Sequence, residues 1–198
     1  MKVFIAAILA AVLIIGCGGA KKVTRLDSNT VTDLSGKWND TDSRLVSEEM
    51  IGDCMSRAWI INFLENKGHK PVVTVGTVRN LSDEHINTET FTIDMERELI
   101  NSGQVRFVAS RDQRGEIRDE RAEQQEYASD ETVKKMREET GADFLIQGSI
   151  KTILDQAEGI KVVFYQTDLE MINVESNEKV WIGTKKIKKE ISRNKTKW

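Results

Sequence analysis

The feature that most constrains this fold is an alternation of helical segments with apolar, β-branched segments. A long segment from about residue 40 to Lys67 has helical apolar spacing, and Gly68 supplies its stop. The run KPVVTVGTVRN, residues 70–80, is typical of a buried strand. The segment TETFTIDMERELINSG, residues 88–103, predicts a second helix with an apolar residue every fourth position and a terminal glycine: Phe91, Met95, Leu99 and Gly103. QVRFVAS then predicts a further strand.

The second half of the chain predicts charged helices followed by strands. Residues 111–129 carry both signs evenly and offer little to bury, which indicates a solvated helix with local ion pairs. DETVKKMREETG, residues 130–141, predicts another helix. Three strands are expected over residues 142–154, 159–174 and 179–191, with ESNE as the hairpin loop between the last two.

These elements predict an α+β fold with a mixed β-sheet and helices packed on one face. With a short strand ending at Trp38, and with residues 111–141 taken as one helical part, the order is β-α-β-α-β-α-β-β-β. In the strand over residues 159–174 polar and apolar side chains alternate, as expected where one sheet face meets solvent. Asp40, Thr41 and Asp42 are candidate N-caps of the first helix.

An apolar N-terminal run ends at a single cysteine. Val3–Ile15 supplies 13 residues, too few for a transmembrane helix, which needs about 20. A buried terminal helix and an ordinary signal peptide are alternatives. However, Ile14-Ile15-Gly16-Cys17 resembles the lipobox of bacterial lipoproteins, which implies cleavage after Gly16 and acylation of Cys17. Several acyl chains would hold the protein firmly. The residue after Cys17 is Gly18 and not aspartate, which by the same resemblance implies the outer membrane.

Four regions follow from this interpretation. Residues 1–16 are the predicted lipoprotein signal peptide, and residues 17–35 a lipidated flexible tether. Residues 36–190 form a single α+β periplasmic domain, and residues 191–198 a basic C-terminal tail. The polar stretch 18–37 would reach roughly 70 Å fully extended, or about 25 Å as a coil.

Charge and cysteine content limit the kinds of ligand and covalent bond that this chain can form. The chain carries 29 basic and 32 acidic residues, which is not a nucleic-acid-binding composition. Once Cys17 is acylated, Cys54 has no disulfide partner. Cys54 lies among apolar residues at helical spacing, so we expect a small buried side chain. Copper ligation with Met50 and Met55 is the alternative.

Nothing in the sequence indicates catalysis. The two histidines, His69 and His85, belong to no HExxH pair, and there is no GxSxG or Walker sequence. Carboxylates are plentiful, but those at residues 40–49 lie where a helix N-terminus favours acids. We therefore expect a binding protein without enzymatic activity, cofactor, metal or small-molecule substrate.

Two segments are candidate binding surfaces. Trp38, Asp40, Asp42 and Arg44 combine an aromatic side chain with both charges, and Trp and Arg are enriched where binding energy concentrates. The alternative is structural, with Trp38 in the core, the aspartates as caps and Arg44 as their partner. The basic segment 185–197 would suit anionic lipid or wall polymer. Protection of a sheet edge by lysines is the favoured interpretation.

Three quoted segments carry a family resemblance: SGKWNDTDSRLVSEEMI, then VGTVRNLSDEHINTETFTIDMERELINSGQVRFV, then GADFLIQGSI. Over residues 36 to about 187 they resemble the periplasmic domain of the LpoB family, and the last also resembles the amino-terminal domain of TolB. The resemblance implies an outer-membrane lipoprotein that docks on a class A penicillin-binding protein and activates this peptidoglycan synthase. Enterobacterial members have a long proline-rich tether, whereas this one has about 20 residues without proline.

Two further classes share the domain type. One is a subunit of an outer-membrane export pore, as in curli secretion, which needs extra membrane-spanning hairpins. The other is a non-catalytic adaptor lipoprotein of an envelope complex, as the TolB resemblance permits. Crosslinking in whole cells would separate them by the partner captured.

Overall fold

The protein is described here from a computed structural model that covers residues 22–192. The predicted signal peptide 1–16, the predicted lipidation site Cys17 and residues 193–198 of the predicted tail lie outside these residues. Residues 31–192 form one compact unit. Within residues 22–192, no helix is both long enough and apolar enough to cross a bilayer.

Four helices and five strands make up residues 22–192. The helices are α1 (Asp40–Met55), α2 (Trp59–Lys67), α3 (Thr88–Asn101) and α4 (Arg111–Tyr127). The strands are β1 (Val72–Asn80), β2 (Arg106–Phe107), β3 (Phe144–Ala157), β4 (Ile160–Asn173) and β5 (Lys179–Ser192).

The strands form one mixed sheet in the order β2-β1-β3-β4-β5. The first three in this order pair in parallel, and β3, β4 and β5 form an antiparallel meander. The loop ESNE lies between β4 and β5, as predicted. Gly148 lies so close to the Asp168 carbonyl on β4 that a Cβ atom there would collide with it. The predicted α+β fold with a mixed sheet is confirmed.

The core lies between one face of the sheet and helices α1, α2 and α3, and α4 contributes no buried residue. Along β4, buried residues alternate with half-exposed ones, and α1 packs against both α3 and β5. The side chains buried completely or nearly so come from all these elements and include Ile51, Phe91, Met95, Leu99, Ile146 and Tyr165. Burial of this apolar face is what fixes the register of the long strands.

The first predicted helix is two helices. Residues 56–58 break it, and the Trp59 Nε1–H donates to the Cys54 carbonyl at 2.8 Å. The N-cap is Asn39, and none of the three candidates from the sequence occupies that position. No strand ends at Trp38, and the backbone bends just before it, at residues 34–37. The predicted strand QVRFVAS is reduced to the two residues of β2.

The predicted helix over residues 130–141 is wrong. The segment forms turns, with Arg137 at a φ of 65°. It offers little to bury, and helices in proteins are stabilised mostly by packing of an apolar face. Instead, Glu139 accepts from Arg118 at 2.9 Å and from Arg121 at 3.0 Å, so the segment is tied to the solvated helix α4. These contacts lower the pKa of Glu139.

Candidate functional site

Trp38 is half-buried at the start of the domain and packs on two aromatic rings. Its ring meets Phe91 of α3 edge-on, with the centroids 6.2 Å apart, and Tyr165 of β4 at 5.7 Å. Such edge-to-face pairs add to the free energy of burial. The Trp38 backbone N–H also donates to Glu84 Oε2 at 3.2 Å. Trp38 therefore joins the segment before α1 to the sheet and to α3.

Glu84 connects the same segment to β4 through a tyrosine. The Tyr165 hydroxyl donates to Glu84 Oε1 at 2.8 Å and lies 3.2 Å from the Gly36 carbonyl. Burial, with the Glu84 carboxylate beside it, raises the pKa of Tyr165. Glu84 lies in the loop after β1, and Tyr165 is far along the chain.

Asp42 has two structural roles. It completes a capping box, because Asn39 Oδ1 accepts from the Asp42 N–H at 3.1 Å and Asp42 Oδ2 accepts from the Asn39 N–H at 3.0 Å. The same Oδ2 accepts from Lys189 Nζ of β5 at 2.7 Å. Both side chains of this ion pair are at most 10% exposed. Asp42 thus links the start of α1 to the edge strand of the sheet.

Lys189 also binds the chain ahead of α1. Its ammonium donates to Asp33 Oδ1 at 2.6 Å and to the Lys37 carbonyl at 3.2 Å. Burial alone would lower the pKa of Lys189, but the hydrogen bonds to Asp33 and Asp42 outweigh it and raise that pKa. The contact with Lys189 lowers the pKa of Asp33. The Lys189 ammonium therefore donates to three acceptors, the carboxylates of Asp33 and Asp42 and the carbonyl of Lys37.

Asp40 and Arg44 point away from these contacts. Asp40 is exposed, and Arg44 is half-buried with one guanidinium nitrogen 3.4 Å from Glu48 Oε1, one helical turn ahead. The structure brings Trp38 and Asp42 into the packing of the domain and leaves Asp40 and Arg44 on its surface. A partner-binding role for all four residues stays a prediction.

Cys54 is buried in the core, where the apolar surroundings raise its thiol pKa to about 12. A metal is bound by the thiolate, which this environment disfavours. The buried-side-chain interpretation is therefore favoured over copper ligation. Among residues 22–192, no group of three His, Cys, Asp or Glu side chains could hold a metal ion.

A cavity of about 630 Å³ lies between α2 and the loop that joins β4 to β5. Trp59, Phe63 and Phe144 supply its aromatic wall, and their rings pack edge to face. Charged residues of both signs surround it: Arg57, Lys67, Asp143, Glu175 and Glu178. The three aromatic side chains are at most 8% exposed and belong to the core, so the charged residues form the accessible part of this cavity.

A protein-family model of the peptidoglycan-synthase activator LpoB matches residues 42–187. This match spans most of the chain and nearly all of the compact unit. The chain belongs to the LpoB family. The family is one of peptidoglycan-synthase activators, as the sequence resemblance implied. No curated protein sequence matches the chain.

Among solved structures, the chain is similar to the C-terminal domain of LpoB from Salmonella enterica, with 15% identity and a TM-score of 0.41. That comparison covers 74% of this chain and 98% of the other. The LpoB C-terminal domain from Escherichia coli gives 16% identity and a TM-score of 0.38, over 71% and 97% of the two chains. A lipoprotein from Neisseria meningitidis, GNA1162, gives 9% identity and a TM-score of 0.35, over 63% and 88%.

Sequence analysis did not single out two residues of this LpoB-family domain that hold the candidate site together. Glu84 and Lys189 hold the segment around Trp38 and Asp42, yet each lies far from it in sequence. Lys189 belonged to the basic segment 185–197, where a buried lysine looks the same as an exposed one. The alternation along β5 places Lys189 on the same face as Trp181 and Ile187. This pattern is the only sequence signal that could have indicated a buried Lys189.

Proposed function

We propose that this chain is an outer-membrane lipoprotein, acylated at Cys17, that binds a class A penicillin-binding protein and activates it. It catalyses no reaction of its own and regulates cell-wall synthesis through its partner. The observation that carries the proposal is the family match over residues 42–187. The lipobox at residues 14–17 and Gly18 after it support the lipid anchor and the outer membrane.

Activation without catalysis needs differential binding. A ligand shifts an equilibrium only by the difference between its affinities for the two states. The activator must therefore bind the polymerising conformation of the synthase more tightly than the idle one. Asp40 and Arg44 are suited to this contact because they are not part of the packing around Trp38.

The test is glycan polymerisation by a purified class A penicillin-binding protein of the same organism, with and without the purified lipoprotein. We expect the rate to rise with activator and to saturate. Arg44→Ala should weaken binding, whereas Arg97→Ala, a similarly ion-paired arginine on α3, should not. If the lipoprotein neither binds nor accelerates any class A synthase of its organism, the proposal is wrong.

Mass spectrometry tests the anchor separately. We expect the mature protein to begin at Cys17 with acyl groups on it, and Cys17→Ser to leave it without them. An unmodified Cys17 in the wild-type protein would contradict the lipoprotein assignment.

A further inference from the structure

The segment that leads into the compact unit and the segment that leaves it lie at one end of the sheet. Lys189, near the end of β5, binds Asp33 at 2.6 Å. Gly36 lies so close to Ile191 that a Cβ atom on Gly36 would collide with it. Ser192, the last residue of β5, pairs with Ile160, which directly follows the β3–β4 turn. We call this region, residues 31–37, 151–163 and 186–192, the turn end.

The turn end extends beyond the part of the sheet that β1 covers. Pairing of β1 with β3 stops at Ile150, so the last seven residues of β3 have β4 as their only neighbouring strand in the described chain. Large apolar side chains at this end are 47–92% exposed: Val31, Leu34, Ile153, Leu154 and Ile160. Grouped exposed apolar side chains mark a surface that contacts a membrane or a protein.

The charge of this end is basic although the whole chain is acidic. Residues 31–37, 151–163 and 186–192 contain six basic and four acidic residues, in a chain of net charge −3. Within residues 22–192, none of Lys161, Lys186 and Lys188 is in an ion pair, whereas Lys151 and Lys189 are. The acids Asp155, Glu158 and Glu190 are also in no ion pair within residues 22–192, but with Lys37 the unpaired lysines number four against these three.

We propose that the turn end is a docking surface for the anionic lipid surface of the membrane that holds the anchor. Apolar side chains among unpaired lysines are the combination that binds such an interface. The proposal rests on the lipid anchor of the proposed function. Because the tether joins the compact unit at this end, it holds these residues near the bilayer at high effective concentration, and weak contacts suffice.

The orientation relative to the bilayer is the quantity to measure. The full lipoprotein carries a nitroxide label at Ala157→Cys in the turn end, or at Ser176→Cys in the opposite β4–β5 loop. Both residues are exposed, and buried Cys54 does not compete for the label. The protein is reconstituted in phosphatidylcholine vesicles with or without about 30% phosphatidylglycerol. We expect the label at 157 to lose several-fold of its accessibility to an aqueous quencher only with the anionic lipid, and the label at 176 to keep it.

Charge reversal separates lipid binding from a general change in the protein. Lys186→Glu with Lys188→Glu alters two exposed side chains and should restore the accessibility at 157. Each lysine near an anionic surface is worth about a fivefold change in partitioning, so the pair should weaken docking about 25-fold or more. Lys134→Glu with Lys135→Glu gives the same net charge on the exposed segment after α4 and should change nothing.

Three outcomes would overturn the inference. The label at 157 could stay equally accessible in both vesicles, or the labels at 157 and 176 could be shielded alike. Shielding of 157 that needs added synthase instead of anionic lipid would make the turn end a protein-docking surface. A fourth outcome, protein that leaves the vesicles altogether, would refute the lipid anchor as well as the inference. The polymerisation assay tests the activator role independently of all four.

Discussion

Replacing Lys189 by methionine should destabilise the domain by about 2–4 kcal/mol at pH 7. Methionine keeps the apolar stem but leaves the nearly buried Asp42 without one charge-assisted hydrogen bond, a loss of roughly 1.5–3 kcal/mol. Asp33 is about half exposed and regains water, so its share is below about 1 kcal/mol. The Asn39 N–H still binds Asp42, which keeps the cost below that of an isolated buried charge.

Urea unfolding followed by tryptophan fluorescence measures this loss. Lys188→Met is the matched control, since its side chain is exposed on the other face of β5 and makes no ion pair within residues 22–192. It should change the free energy of unfolding by less than about 0.5 kcal/mol. Combining Lys189→Met with Asp42→Asn should cost less than the sum of the two changes, because they remove one interaction. Equal, small losses from Lys188→Met and Lys189→Met would refute the reasoning.

The pH dependence of the stability difference between wild type and Lys189→Met gives a second check. Folding lowers the pKa of Asp33 from its ordinary 3.8 and raises that of Lys189 from 10.5. The stabilisation from Asp33 is therefore present above its unfolded pKa and is lost as the pH falls through the lower folded value. The stabilisation from Lys189 is present below about pH 10 and is lost as the pH rises through its folded value. The gap between wild type and Lys189→Met should be widest between about pH 5 and pH 10.

Two further substitutions test the packing. Trp38→Ala should lower the free energy of unfolding in urea by about 3 kcal/mol, because it removes contacts with Phe91 and Tyr165. Arg44→Ala should unfold like wild type. A wild-type unfolding curve for Trp38→Ala would mean that Trp38 serves binding alone. Gly148→Ala should lower the free energy of unfolding by about 2 kcal/mol or more, because its Cβ atom would collide with the Asp168 backbone. Gly141→Ala is the control and should be nearly neutral, because its Cβ atom would have no neighbouring atom within 4 Å. Equal unfolding curves for the two variants would contradict the close approach of β3 to β4.

The sequence predicted best those elements that bury an apolar face. Helix α3 is correct because Phe91, Met95 and Leu99 are spaced for one face, and all three are fully buried. The antiparallel strands are correct because alternation along β4 reports a sheet with one covered face. The prediction failed over residues 130–141, because this segment has helix-forming residues but no apolar face to pack against the core.

Two of the four residues that form the candidate site could be predicted from local sequence features, and two could not. Trp38 and Asp42 could be singled out because an aromatic residue and a capping acid have local signatures. Their partners Glu84 and Lys189 could not, since only the folded sheet brings β5 and the loop after β1 to the start of α1. Local propensity carries no information about contacts across 46 or 147 positions.

If Cys17 carries the proposed lipid, the length of the sheet adds to the distance from the bilayer that the domain can reach. Fourteen residues from Cys17 to Thr30 would span about 20 Å as a coil. Strand β5 runs 14 residues from the loop beside the aromatic cavity to the turn end, roughly 43 Å at 3.3 Å per residue. With the turn end on the membrane, the cavity would face away from the bilayer at the far end of the sheet. A partner that binds at the cavity would meet the domain at a height set by a folded strand, whereas one that binds Arg44, beside the Asp42–Lys189 ion pair, would meet it close to the membrane.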